Sequence, residues 1–173
     1  MTKHHFPAKL DTKAKMVTIL CSFLILGIIG FTLSNANGIP LYIHILNTGL
    51  VLLPFICYGL KPSDYEVSED KITIRRLFKN VVMERSHIEK IEHIPEVDLK
   101  GVWRMMGIGG LFGYMGKFGS SRLGRMTWYA TDLQNAVLIT TNKGKILITP
   151  ENPEEFIRLC NTETYLTTKL HDF

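Results

Sequence analysis

Apolar residues run almost unbroken between residues 16 and 60, and that interval contains no Asp, Glu, Lys or Arg. It divides into two spans, 16–33 and 39–60. As a helix the first covers about 27 Å, close to the roughly 30 Å of a bilayer's hydrocarbon core, and the second is long enough to cross with some tilt. Ser34, Asn35, Ala36, Asn37 and Gly38 between them suit a tight turn, and Pro40 suits the first turn of a following helix. The pattern predicts a transmembrane helical hairpin. Pro54 predicts a kink in its second helix. His44, about one turn inside the second span and beside Tyr42, is read as a neutral interfacial residue.

Beyond Lys61 the pattern changes to short alternating runs. Residues 65–67, 72–78 and 81–84 form candidate strands separated by turns at Glu69-Asp70 and Lys79-Asn80. Ile88, Ile91 and Ile94 lead into a further strand, and residues 126–131, 136–141 and 146–149 supply three more, the last two joined by the turn Asn142-Lys143-Gly144. At Asn152 the period changes again. Asn152 can cap a helix, Pro153 fits its first position, and Glu154 and Glu155 favour its N-terminal dipole. Phe156, Leu159 and Cys160 give this helix an apolar face. The predicted organisation is a basic N-terminal segment (1–15), the hairpin (16–60), a mainly-β roll or barrel of antiparallel strands closed by a C-terminal α-helix (62–161), and a tail (162–173).

Charge sharpens the reading of the anchor. The chain carries 20 basic and 16 acidic residues, and the net charge of +4 is uneven. Lys3, Lys9, Lys13 and Lys15 face only Asp11 before the first span, whereas the two signs nearly balance after the second. The excess is juxtamembrane, where each Lys attracts anionic headgroups by about 1 kcal/mol. A nucleic-acid binder would place it on the folded domain, so no nucleic-acid partner is expected. Lys15 and Lys61 abut the ends of the hairpin and its turn is uncharged, which predicts both termini on the cytoplasmic side of the inner membrane. A cleaved signal peptide would have a shorter apolar region than the first span. Leu20 is too bulky for the position before a lipoprotein cysteine at Cys21. Cys21, Cys57 and Cys160 form neither a zinc pattern nor a disulfide framework.

The segments YEVSEDKITIRRLF, SHIEKIEHI, GIGGLFGYMGKF and ITPENPEEFI, spread over residues 65–158, resemble the bacterial pleckstrin-homology-like (PH-like) domain proteins. The resemblance implies a PH-like roll of seven strands in two sheets with a C-terminal helix. It does not imply phosphoinositide binding, because folds of this kind serve lipids, peptides and assembly alike. In the first hairpin of the domain Arg75, Arg76 and Lys79 are offset by Glu69, Asp70 and Glu84.

The interval 101–125 has no clear periodicity and holds a glycine-rich segment, 107–119. A phosphate-binding loop is disfavoured, because no βαβ unit surrounds it and Phe118 stands where Ser or Thr would be needed after Gly116-Lys117. Two readings remain. The glycines can allow close backbone packing while the aromatics fill the core. Alternatively, Leu111, Phe112, Tyr114, Met115 and Phe118 form an apolar interaction loop rimmed by Arg104, Lys117, Arg122 and Arg125, suited to a bilayer surface or a partner's apolar helix.

No catalytic, metal-binding or cofactor motif is present. His87 and His93 read as exposed strand residues. The expected function is a non-catalytic binding or assembly module held at the inner face of the membrane, its partners the lipid bilayer and a protein partner or a second copy of itself. The rival from another class is a membrane-bound enzyme, in which glycine amides of 107–119 would converge on a pocket with Ser120, His93 or Asp98. A third reading is a structural subunit of a membrane complex, packed through the hairpin and the small residues near Gly27 and Gly30.

Overall fold

The computed structural model describes residues 3–170 apart from 36, 37 and 39, with side chains described as far as Asn161. Part of the expected turn, the first residue of the second span and the last three tail positions therefore lie outside the described residues.

Helix α1 (Thr12–Ser34) starts before the apolar run, because Asp11 caps it with a carboxylate that accepts the Ala14 N–H at 2.6 Å. Helix α2 spans Leu41–Leu60 and contains Pro54. Both are long and apolar enough to cross a membrane. Their large side chains are mostly exposed, Leu20, Phe31 and Leu41 among them, an arrangement suited to lipid rather than water. Hydroxyls within α1 are satisfied locally: Thr18, Ser22, Thr32 and Ser34 each donate to the carbonyl four residues earlier. Asn47 ties α2 to α1 by donating to Thr32 Oγ1 at 2.8 Å.

The segment before α1, expected as a basic extension, forms strand β1 (His4–Pro7). It pairs antiparallel with β2 (Pro62–Val67), the strand that follows α2, in a register from His4 opposite Val67 to Pro7 opposite Asp64. The helical hairpin is thus inserted between two adjacent strands of one sheet. Strands β3 (Lys71–Arg76) and β4 (Val81–Glu84) complete that sheet in the order β1-β2-β3-β4. Lys3 holds Glu66 in an ion pair at 2.7 Å and His5 Nδ1 lies in hydrogen-bond contact with Asp64 at 2.6 Å, so polar side-chain contacts fix β1 at the edge.

The second sheet contains β5 (Ile88–His93), β6 (Trp103–Gly109), β7 (Tyr114–Ser120), β8 (Gly124–Ala130), β9 (Val137–Thr141) and β10 (Gly144–Ile148). Their order is β5-β9-β10-β8-β7-β6. The expectation of antiparallel strands throughout is corrected at one place: β10 pairs parallel with β8, because the chain crosses over between Ala130 and Val137 to place β9 beyond β10. Helix α3 runs Pro153–Leu170, so helix continues through most of the expected tail.

The sheets pack into a sandwich. Tyr65, Val67, Ile72 and Ile74 of the first sheet meet Val137, Ile139 and Ile148 of the second, and Phe156 and Cys160 of α3 close the core. Phe6 joins them, its ring edge-on to Phe156 at 5.3 Å between centroids. The opposite face of the second sheet buries Met126, Trp128, Leu138 and Leu147 beneath Ile94 and Leu99. Burial on both faces explains why residues 137–139 and 146–148 are continuously apolar rather than alternating. A polar knot joins the layers. The Tyr65 hydroxyl donates to Tyr129 O at 2.7 Å, and Thr149 Oγ1 accepts the Thr131 N–H at 2.8 Å.

Because β1 belongs to the core, a fragment beginning at residue 62 exposes the β2 edge and the Phe156 face. A version in which residues 12–60 are replaced by a flexible linker, keeping β1, will be more stable than residues 62–173 alone. Phe6→Ala in that version will cost about 3–5 kcal/mol in urea unfolding. Equal midpoints for the two fragments would show that β1 is not part of the folded unit.

Candidate functional site

The glycine-rich interval folds as a hairpin. Gly107 and Gly116 are direct partners across β6 and β7, with φ of 134° and 128°. A Cβ on Gly107 would lie 2.1 Å from Met115 O, and one on Gly116 would lie 2.2 Å from Met106 O. Backbones this close, with a bulge between Arg104 and Met106, admit only glycine. That requirement hid the strands from a reading based on β propensity.

The turn Gly110-Leu111-Phe112-Gly113 closes on itself through Gly110 N–H to Gly113 O at 2.8 Å. Phe112 takes a left-handed φ of 57°, uncommon for a bulky side chain. Its conformation is held from outside the turn. The Phe112 N–H donates to Thr18 Oγ1 of α1 at 3.0 Å, and its ring meets Tyr58 of α2 edge-on at 5.4 Å. Gly110 lies against Val17, where a Cβ would sit 3.2 Å from Val17 Cγ1. One residue further, the Tyr114 hydroxyl donates to Asp11 Oδ2 at 3.2 Å, while the Asp11 N–H donates to Thr131 O at 2.9 Å. Asp11 therefore caps α1 and couples it to β7 and to the end of β8. Burial, then the Asp11 carboxylate, push the Tyr114 pKa up to about 12.

A second contact forms at the base of α2. The Phe78 N–H donates to Gly59 O at 3.2 Å, and a Cβ on Gly59 would fall 2.3 Å from the Phe78 ring. Two turns, Leu77-Phe78 and Leu111-Phe112, thus dock on the ends of the helices that meet the domain, and with the Asp11 contacts they form a clasp between helices and sandwich.

The residues expected to form one apolar patch divide. Leu111, Phe112 and Tyr114 are half-buried at the helix bases. Met115 and Phe118 are corrected to interior positions, at 5% and 6% exposure. Phe118 stacks on Trp128 at 4.2 Å, because the pleat turns it toward the second core. The cationic rim does not surround the tip either. Arg122 and Arg125 lie at the other end of β7 and β8, about 20 Å away along the strands. Arg122 pairs with Asp98; of the expected rim Arg104 alone approaches the tip, its guanidinium 3.0 Å from where a Cβ on Gly109 would lie. Sequence reading missed Asp11, Thr18, Tyr58, Gly59 and Phe78. Of these only Asp11 carried a signal, as a capping residue ahead of a helix.

At the end of the domain away from the helices, a groove of about 390 Å³ opens over β7, β8 and β10. Lys117, Thr127 and Ile146 are consecutive cross-strand partners on its floor. Arg125, Lys143 and Lys145 line it, and no Asp or Glu does among the described residues. The Lys145 ammonium also donates to Leu123 O at 2.9 Å.

The components of the rival enzyme pocket do not converge. Ser120 Oγ accepts turn N–H groups from Arg122 and Leu123, and Asp98 is engaged by Arg122. His93 sits on β5, with three strands between it and β7. Among the described residues no group of three or more His, Cys, Asp or Glu could hold a metal ion.

A family model described as bacterial PH domain matches residues 63–163, from β2 into α3. The chain belongs to the bacterial PH domain family. No curated protein and no solved structure matches it. The matched PH domain begins at β2, so its sheet gains an additional edge strand, β1, from the far side of the helical hairpin.

Two outcomes follow for the clasp. Gly116→Ala will destabilise the PH domain by roughly 2–4 kcal/mol through forced backbone shifts, measured as a lower urea midpoint; an unchanged midpoint would mean that the strands can separate without cost. The raised Tyr114 pKa contributes stability that is complete below about pH 10 and is lost as pH rises through about 12. Tyr65, fully buried and also pushed up to about 12, contributes in the same window. Unfolding midpoints followed from pH 9 to 12 will therefore fall less steeply for Tyr114→Phe than for the unmodified chain. Identical slopes would show that Tyr114 is not coupled to folding.

Proposed function

We propose that this protein is a membrane-anchored PH module that binds or assembles a protein partner at the inner face of the cytoplasmic membrane, without catalysis. The carrying observation is the two-point docking of the PH domain on the helix bases. It fixes one end of the sandwich at the hairpin and leaves the carboxylate-free cationic groove open at the other end. Lys15 and Lys61 beside the spans support a cytoplasmic location for the domain. The separation of His93 from Ser120, and the engagement of both Ser120 and Asp98 by Arg122, weigh against the enzyme reading. The third reading, a structural subunit assembled through its hairpin, draws on Gly27 and Gly30, neither of which has a neighbouring atom within 4 Å of where a side chain would begin.

Location and binding can be tested separately in a cysteine-free background. Ser34→Cys will react with a membrane-impermeant thiol reagent in intact cells, whereas Lys143→Cys will react only after lysis; the reverse pattern would overturn the orientation. A photo-crosslinking residue at Thr127, on the groove floor, will give a discrete heavier product in cells. Lys117→Glu with Arg125→Glu will lower its yield at least tenfold, as expected when like charges meet an acidic partner. A product insensitive to charge reversal would remove the groove from the proposal.

A further inference from the structure

Anchoring by two helices does not by itself require the PH domain to touch lipid. The turn between β3 and β4 carries Leu77 and Phe78, which are 69% and 58% exposed although both are large and apolar. Their level is set by α2. Phe78 is bonded to Gly59, the penultimate residue of a 20-residue helix. Such a helix is about 30 Å long, so its ends coincide with the boundary between acyl chains and headgroups. The exposed surface of Phe55, Ile56 and Tyr58 on α2 reaches the same level. Apolar exposure passes from the helix to the turn without leaving the membrane boundary.

Immediately beside the turn is a recess of about 360 Å³, lined by Tyr58, Lys61, Ser63, Arg75, Arg76 and Asn80 together with Leu77. No carboxylate lines it among the described residues. Its cations are held in place. Lys61 Nζ lies 5.1 Å from the Tyr58 ring centroid, and the Arg76 guanidinium lies 5.1 Å from that of Tyr129. Arg76 Nε donates to Lys79 O at 2.7 Å, and Asn80 Oδ1 accepts the Arg76 N–H at 3.0 Å. This fixes the guanidinium while using only its Nε. Arg75 contributes less, because Glu66 stands 3.6 Å away.

We propose that Leu77 and Phe78 insert into the membrane boundary as a second membrane contact, and that Lys61 and Arg76 bind the phosphate of an anionic phospholipid in the recess beside them. Apolar side chains at the acyl boundary with cations one layer above are the arrangement that interfacial segments use on anionic bilayers. The lipid is favoured over a free phosphate by position, since the recess opens beside Leu77 at the end of α2. The Glu69-Asp70 turn, which joins β2 to β3 at the end away from the helices, is acidic and is turned away from the bilayer. The inference rests on the reading of α1 and α2 as a transmembrane hairpin.

The test uses the full chain with its cysteines replaced by alanine, reconstituted in nanodiscs. Nitroxide labels are placed at Leu77→Cys, at Leu24→Cys in α1 and at Lys143→Cys in the distal groove. Collision with oxygen against an aqueous nickel chelate reports depth. Lipid-phase signals at Leu24 and Leu77 with an aqueous signal at Lys143 are expected. A lipid-phase Leu24 with an aqueous Leu77 would overturn the second contact and leave the anchor standing. An aqueous Leu24 would overturn the anchor and the contact with it. For the headgroup, native mass spectrometry of the detergent-extracted chain will show phosphatidylglycerol retained in preference to phosphatidylcholine. Lys61→Gln with Arg76→Gln will weaken that retention roughly thirtyfold. Equal retention of the two lipids, or displacement of phosphatidylglycerol by an equal concentration of soluble glycerol phosphate, would overturn lipid recognition at this recess.

Discussion

The pairing of β1 with β2 is the constraint on which the rest of the architecture depends. Pro7 and Asp64 are register partners although the whole helical hairpin lies between them. Once they are joined, α1 and α2 must leave the sheet and return to it at one edge. The helix bases are then held next to the ends of β3, β6, β7 and β8. Each contact of the clasp, from Asp11 to Phe78, forms between groups that this pairing has already brought close. The entropy cost of ordering the two docking turns is correspondingly small, because neither the helix ends nor the strand ends have to be located independently.

Docking also divides the labour between the two ends of the sandwich. Near the helices, backbone hydrogen bonds and aromatic contacts fix the glycine-rich turn and the Leu77-Phe78 turn. Far from them lie the acidic Glu69-Asp70 turn and the cationic groove. A hairpin inserted at an edge thereby does more than localise a domain. It orients the domain, because a single flexible linker would leave every face equally free to turn toward the helices, whereas two helix bases and two docked turns hold one end of the sandwich against them and leave the other end exposed.

Glycine has opposite uses in the two halves of the site. At Gly107 and Gly116 it allows two backbones to approach more closely than any side chain permits. At Gly59 its missing side chain makes a seat for the Phe78 ring. Phe112 shows the complementary case, a bulky residue kept at positive φ because Thr18 and Tyr58 hold its backbone and ring. Local strain of this kind persists only where surrounding contacts over-determine it.

The sequence by itself determined the two apolar spans, the change to strand periodicity after Lys61, the hairpin at Asn142-Lys143-Gly144 and the helix that begins at Pro153. Each follows from a local rule of charge, alternation or capping, so neighbouring residues carry the whole signal. Tertiary structure alone decided that His4–Pro7 is a core strand, since four residues become a strand only through an edge found more than fifty residues later. It also decided that β10 lies parallel to β8, and that the glycine-rich interval is sheet rather than loop. The same holds for the candidate site. Aromatic and basic residues between 101 and 125 were visible as chemistry, but strand pairing buried Met115 and Phe118 on opposite faces of β7, and strand length separated Phe112 from Arg122 and Arg125. Side-chain identity sets what a residue can bind; which face and which end of the sheet it occupies is fixed only when the strands pair.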